Sequence, residues 1–479
     1  MSQLELGTAI SQSAVVAASR LYYLALRGMF LFLFVSFLGV GNYGIFNYAQ
    51  SWYLLLMPLA LLGTNELIIS QFPLASSNDR KKFLATSLAL RLLSSSFTSL
   101  LVILFALSLE TDGLLQRLMM IFAPAALIRG CIGWFSSVFV AQSLVLRWTT
   151  FSTFFVTLEV VAVLFAASSG ANLVELALLQ ILLWVAKLLA CWYYAARQKL
   201  LTGFDWVCVV RWDKTMAQRL ALDGLPLAIG NFLLLSLAVG LLIPYRLATP
   251  DLTSLGVAAV VLQVFMLAQE PLTRTFNALL PALRYRENAF RSRESPMQTH
   301  LGMFAIFTGC CLAIVARELS LYLAGTDQLL QFHPALLLVS QYSWLLVPIM
   351  TFHALRPLVI VDGRYLIYLM SILVGFVSAL GVLVAYRFQG PLTPEHLLLA
   401  LGTGFTVLSL MTLSNLLLQS DDWFQASSRL VLLIGVLALA LVYPSYFENS
   451  PSYLRSLSFL LVMIGSVFFF FRLKKTYVH

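Results

Sequence analysis

Long apolar runs alternate with short polar segments from one end of this chain to the other. An α-helix needs about 20 apolar residues to cross the hydrocarbon core of a bilayer. Measured against that length, the runs fall at 20–38, 44–70, 83–108, 118–141, 149–169, 173–196, 221–244, 252–280, 300–324, 334–360, 365–386, 396–418, 430–447 and 453–471. They are far longer than the ~9–11 residues of a membrane β-strand and lack its alternation. The pattern predicts an all-α polytopic membrane protein of about 14 transmembrane helices.

Composition agrees with the pattern. Of 479 residues, 60% are hydrophobic and only 11% charged, against ~45–50% and ~25% in a soluble domain. So few charges cannot cover the surface of a water-soluble globule, which excludes a cytosolic enzyme, a nucleic-acid binder and a secreted domain. The start, MSQLELGTAISQSAVVAASR, has no basic segment ahead of an apolar one, so no cleavable signal peptide is expected. Cys131, Cys191, Cys208, Cys310 and Cys311 show no metal or redox spacing and read as packing residues.

The net charge of +9 is unevenly spread. With the N-terminus inside, the inner segments hold 19 Lys and Arg and the outer ones five: Arg117, Arg246, Arg317, Arg387 and Arg455. That bias is the positive-inside rule, and it places both termini of a multi-pass membrane protein in the cytoplasm.

An internal repeat divides the chain at the basic segment 197–219. A shift of 212 residues aligns Tyr43-Gly44 with Leu255-Gly256 and Asn65 with Asn277, while Pro58 and Pro271 fall one residue out of register. Each copy then reaches a charged inner loop. Duplicated halves with the substrate between them are the usual build of transporters. The expected organisation is an N-terminal six-helix lobe (1–200), a basic inter-lobe loop (201–220), a C-terminal six-helix lobe (221–420), and two additional spans with a basic tail (421–479).

The run Arg27-Gly28, Leu38-Gly39, Tyr43-Gly44-Ile45-Phe46 and Leu59-Ala60-Leu61-Leu62-Gly63 resembles the opening of Wzx-type polysaccharide and O-antigen flippases. These belong to the multidrug/oligosaccharidyl-lipid/polysaccharide (MOP) exporter superfamily. The resemblance continues through Ser254-Leu255-Gly256-Val257 and from Pro348 to Gly363-Arg364, over roughly residues 10–420. It implies two lobes facing each other across a central cavity that opens alternately to the two sides.

Gly39-Val40-Gly41-Asn42-Tyr43-Gly44 spells the dinucleotide fingerprint but sits between two spans, without the preceding strand. It reads as a tight turn whose glycines need positive φ, and no cofactor is implied. The five histidines show no metal spacing. His353 lies within a span, three residues before Arg356 and on the same helical face, which suits either a cavity role or a structural hydrogen bond.

With the cations towards span ends counted in the adjoining segments, six lie inside spans: Arg27, Arg91, Arg129, Lys187, Arg274 and Arg356. A charge at the bilayer centre costs at least ~2.5–3.5 kcal/mol, so such residues face a water-filled cavity or a carboxylate. Snorkelling towards the interface is the alternative, and it suits Arg91. Lys187 and Glu159, both near mid-span, are expected to pair. Only Glu66, Glu159 and Glu270 are clear acids within spans. This excess of cation calls for an anionic ligand, and pyrophosphate suits arginine through bidentate bonds. In the eighth span Gln263, Glu270, Arg274 and Asn277 form one polar stripe, which suits either a helix–helix seam where Glu270 neutralises Arg274 or, as expected here, the cavity lining with Arg274 opposite Arg27 as a phosphate clamp. Tyr22, Tyr23, Tyr53, Asn47 and Gln50 suit either sugar contacts or the membrane interface.

With the resemblance, these features point to a flippase for an undecaprenyl-pyrophosphate-linked oligosaccharide, hence no catalytic residues. The implied partners are that anionic lipid-linked oligosaccharide, membrane lipids and a polysaccharide polymerase machinery. The rival readings are a multidrug or lipid II exporter of the same superfamily, and a membrane O-antigen polymerase or glycosyltransferase. The last would usually carry a large outer loop, whereas the longest here is about 317–333.

Overall fold

The computed structural model describes residues 3–72, 77–142, 144–198, 213–249, 251–268, 294–361 and 365–417. Every regular element among them is helical: α1 (Gln3–Leu38), α2 (Val40–Leu61), α3 (Thr64–Gln71), α4 (Ser77–Leu109), α5 (Gly113–Phe122), α6 (Ala125–Ala141), α7 (Val145–Ser168), α8 (Leu173–Arg197), α9 (Lys214–Leu237), α10 (Leu242–Ala248), α11 (Leu252–Ala268), α12 (Glu294–Ala324), α13 (His333–Tyr342), α14 (Leu346–Val361), α15 (Tyr365–Gln389) and α16 (Pro394–Leu417). Three short 3₁₀ turns link some of them. The expected third to seventh and tenth to twelfth spans fall on eight stretches long and apolar enough to cross a membrane. The expected first, second, eighth and ninth lie on helices that are shorter or more polar over the described residues. The last two expected spans, 430–447 and 453–471, lie outside the described residues.

The chain forms two compact units, Met1–Val260 and Val261–His479. In the first, α1 packs on α7, α2 on α4, α5 and α9, and α6 on α4 and α8. In the second, α12 packs on α13 and α14, and α16 on α14 and α15.

Local sequence sets the breaks. Span two was expected as one helix and is two. Pro58 cannot donate to the helical ladder, and α2 ends three residues later, just before Leu62 (φ 46°) and Gly63 (φ 62°) both turn left-handed. A leucine in that conformation costs about 1–2 kcal/mol. Side chains brace the break: Thr64 Oγ1 donates to Leu61 O (2.8 Å) and Ser94 Oγ to Ala60 O (2.7 Å). Pro124 likewise separates α5 from α6. Asp112, Asn172 and Asp213 cap α5, α8 and α9, and Asn172 with Glu175 forms a reciprocal capping box.

Of the glycines in the 39–44 run, only Gly39 needs a positive φ (82°). Gly44 is helical and has a different task. A Cβ there would stand 2.6 Å from the Cα of Gly256, and one on Gly256 would strike the Val40 carbonyl. The two glycines that the repeat aligns therefore touch each other, backbone to backbone, where α2 crosses α11. Small residues at such crossings let apolar helices approach closely, which substitutes for the hydrophobic drive that lipid does not provide.

Candidate functional site

Besides the ion pair of Arg246 on α10 with Glu110 (3.8 Å), two groups of buried charge occur in the first unit. In one, Arg91 of α4 is fully buried. Its Nη2 donates to Asn65 Oδ1 (2.8 Å) and to the Thr64 hydroxyl, and its Nη1 donates to the Gly130 carbonyl (3.2 Å). Arg91 therefore does not snorkel. It ties the α2–α3 break to α6, and Trp134 of α6 adds a bond from its Nε1 to Ser87 Oγ on α4 (3.0 Å).

The other group draws on α1, α2, α6, α7 and α8. Glu159 of α7, its side chain 8% exposed, lies 3.7 Å from Arg27 Nη2 on α1. Its Oε1 accepts from Gln180 Nε2 on α8 (2.9 Å), and Gln180 Oε1 accepts from Gln50 Nε2 on α2 (2.7 Å). Arg129 of α6 donates from Nη1 to the Tyr53 hydroxyl (2.9 Å) and lies over the faces of Trp184 (5.0 Å) and Tyr53 (5.8 Å). Arg27 lies over Tyr23 and Phe30 at 5.5 and 5.9 Å. A ring quadrupole attracts a cation without neutralising it.

The expected pairing of Glu159 with Lys187 is corrected by this geometry. Among the described residues the ion-pair partner of Glu159 is Arg27, and Lys187 Nζ donates to Ser152 Oγ (3.1 Å). Antiparallel register is the reason. α7 and α8 set Glu159 against Gln180, so the residue seven places earlier on α7, Ser152, meets the one seven places later on α8, Lys187. Those two rungs are about 10 Å apart along the helix axis, and mid-span position alone does not resolve such an offset. Lys187 and Arg129 remain within electrostatic reach of Glu159.

Of the polar residues considered for sugar contacts, Asn47 bonds Tyr43 (3.0 Å), Tyr22 bonds Thr157 (3.0 Å), and Gln50 and Tyr53 belong to the Glu159–Arg129 group. Gln180 and Trp184, which join its two halves, escaped the sequence reading. Their seven-residue and three-residue spacing from Lys187 on one helix was the available signal.

In the second unit, His353 and Arg356 lie one turn apart on α14 and within electrostatic reach of each other. The His353 ring is buried against Phe405 (6.0 Å), and neither of its nitrogens has a hydrogen-bond partner among the described residues. Arg356 lies over the Tyr368 ring at 5.6 Å. Gln263 is half-buried on α11. Glu270, Arg274 and Asn277, the rest of its expected stripe, lie outside the described residues.

No protein-family model matches this sequence, and no curated protein matches it. Solved structures do. The lipid II flippase MurJ in an inward closed conformation superposes with a TM-score of 0.65 at 13% identity, covering 96% of this chain and 99% of that one. An inward-facing multidrug-resistance MATE transporter of the MOP superfamily gives 0.63 at 12%, covering 88% and 99%. A eukaryotic MATE transporter gives 0.52 at 15%, covering 88% and 97%. At these identities the likeness is one of fold. With its long apolar helices, this chain is a multi-pass membrane protein with the fold of MOP-superfamily transporters.

Proposed function

We propose that the protein is a flippase that moves an undecaprenyl-pyrophosphate-linked oligosaccharide across the cell inner membrane by alternating access, for O-antigen, exopolysaccharide or capsule synthesis. The observation that carries this reading is the charge balance around Glu159. Three cations, Arg27, Arg129 and Lys187, surround one carboxylate, Glu159, among aromatic side chains. One carboxylate compensates one of them. A buried surplus of positive charge is costly unless an anion joins it, and a pyrophosphate head group supplies that anion. An exporter of organic cations would need the opposite balance. Gln50, Gln180 and Tyr53 beside the cations offer hydrogen bonds of the kind sugars accept.

The proposal keeps the two-lobe organisation, cytoplasmic termini, the Arg27–Arg274 clamp and a cavity role for Arg356 and His353. It needs no catalytic residue, because no covalent bond changes. The MurJ-like fold favours a second reading, export of lipid II, which carries the same pyrophosphate chemistry. Deletion of the gene separates the readings. A radiolabelled lipid-linked repeat unit should accumulate on the inner leaflet, with peptidoglycan synthesis unaffected. Arrested peptidoglycan synthesis would favour lipid II. Unpolymerised glycan at the outer face would mean a polymerase, and no change in either pool would sink both lipid-linked readings. In the same assay Arg274→Ala should abolish flipping in an inserted, folded protein.

A further inference from the structure

We infer that Glu159 is an internal counter-ion, holding Arg27 until a substrate phosphate takes its place and reclaiming it when that phosphate leaves. The inference rests on the anionic substrate proposed above and adds the means of releasing it. The Arg27–Glu159 contact is 3.7 Å, whereas a close charge-assisted hydrogen bond is about 2.7–2.9 Å. The pair is thus an ion pair without a tight bond, although its carboxylate is almost wholly buried. The carboxylate is instead held from the other side, by the Gln180 amide, which the Gln50 amide holds in turn. Glu159 is thereby fixed to α8 and α2, independently of Arg27. Arg27 can turn its planar fork to a ligand while Glu159 stays in place, where Arg129 and Lys187 are within electrostatic reach and bear its charge. Three cations with no competing anion would hold a pyrophosphate tightly and release it slowly. A resident carboxylate lowers that affinity and refills the site as the ligand departs.

Glu159→Gln removes the charge while its amide oxygen still accepts from Gln180, so it isolates the electrostatic part. The test titrates inorganic pyrophosphate into the purified full-length protein in detergent micelles, read by isothermal titration calorimetry. Glu159→Gln should lower the Kd by roughly tenfold, the order expected from losing one close charge in a partly screened site. The gain should vanish in the Arg27→Gln background. An unchanged or weaker affinity in Glu159→Gln, or an equal gain without Arg27, overturns the inference. Should Glu159→Gln fail to fold, Glu159→Asp withdraws the carboxylate from Arg27 by one methylene. It should then tighten binding by a smaller factor, and no tightening again overturns the inference. A wild-type protein that is folded yet binds no pyrophosphate overturns the anionic-substrate reading itself.

Discussion

The arginines at 91 and 129 occupy the same unit and the same kind of apolar helix, yet they are satisfied in opposite ways. Arg91 spends its guanidinium on three neutral oxygens of the protein, at Thr64, Asn65 and Gly130. Arg129 has one hydroxyl, Tyr53, and two ring faces, and shares Glu159 with two other cations. A buried cation tied to two neighbouring helices by three protein oxygens is a strut. One that leans on aromatic faces amid surplus positive charge has capacity for a ligand. The role of an intramembrane arginine is therefore read from what satisfies it, and its presence in a span does not decide the matter.

The comparison breaks first at Arg91. Arg91→Ala should leave the Thr64 and Asn65 side chains and the Gly130 carbonyl without their donor, at about 1–3 kcal/mol for each buried group. The expected result is loss of folded, monodisperse protein, or a fall of many degrees in Tm by thermal-shift measurement. A variant with wild-type Tm would remove the strut reading.

Arg129→Ala should do the reverse: retain a near wild-type Tm and lower transport at least tenfold in a lipid-linked glycan flipping assay. Arg129→Lys should rescue little of it, since an ammonium lacks the flat face that lies on Trp184 and the fork that grips two phosphate oxygens. Full rescue by lysine would reduce the site to bare charge.

A smaller effect is expected where the repeat-related glycines meet. Gly44→Ala must push α2 and α11 apart by several tenths of an ångström, so Tm should fall by a few degrees, and Gly44→Val by more. Equal stability of all three proteins would mean that the close crossing is dispensable.

Much of this was legible along the chain, and the gaps have physical causes. Apolar run length and the absence of alternation predicted helices that the structure has, because a backbone in lipid must satisfy its own hydrogen bonds whatever its neighbours are. The break at Leu62–Gly63 went unread, since Pro58 is tolerated within membrane helices and gives no fixed stopping point. Snorkelling suits Arg91 by its distance from the span end, a one-dimensional measure that is blind to the acceptors 26 to 39 residues away.

Sequence by itself therefore determined the helical class and singled out Arg27, Arg91, Arg129, Lys187 and Glu159 as charges within apolar helices, since these follow from composition and run length. Tertiary structure alone decided which charges meet. Register between α7 and α8 gave Lys187 to Ser152 and left Glu159 to Arg27, and the crossing of α2 with α11 set Gly44 against Gly256. A rotation of one helix by a single residue moves a side chain through about 100°, so the partner of a buried charge is fixed by packing that no spacing along one helix encodes.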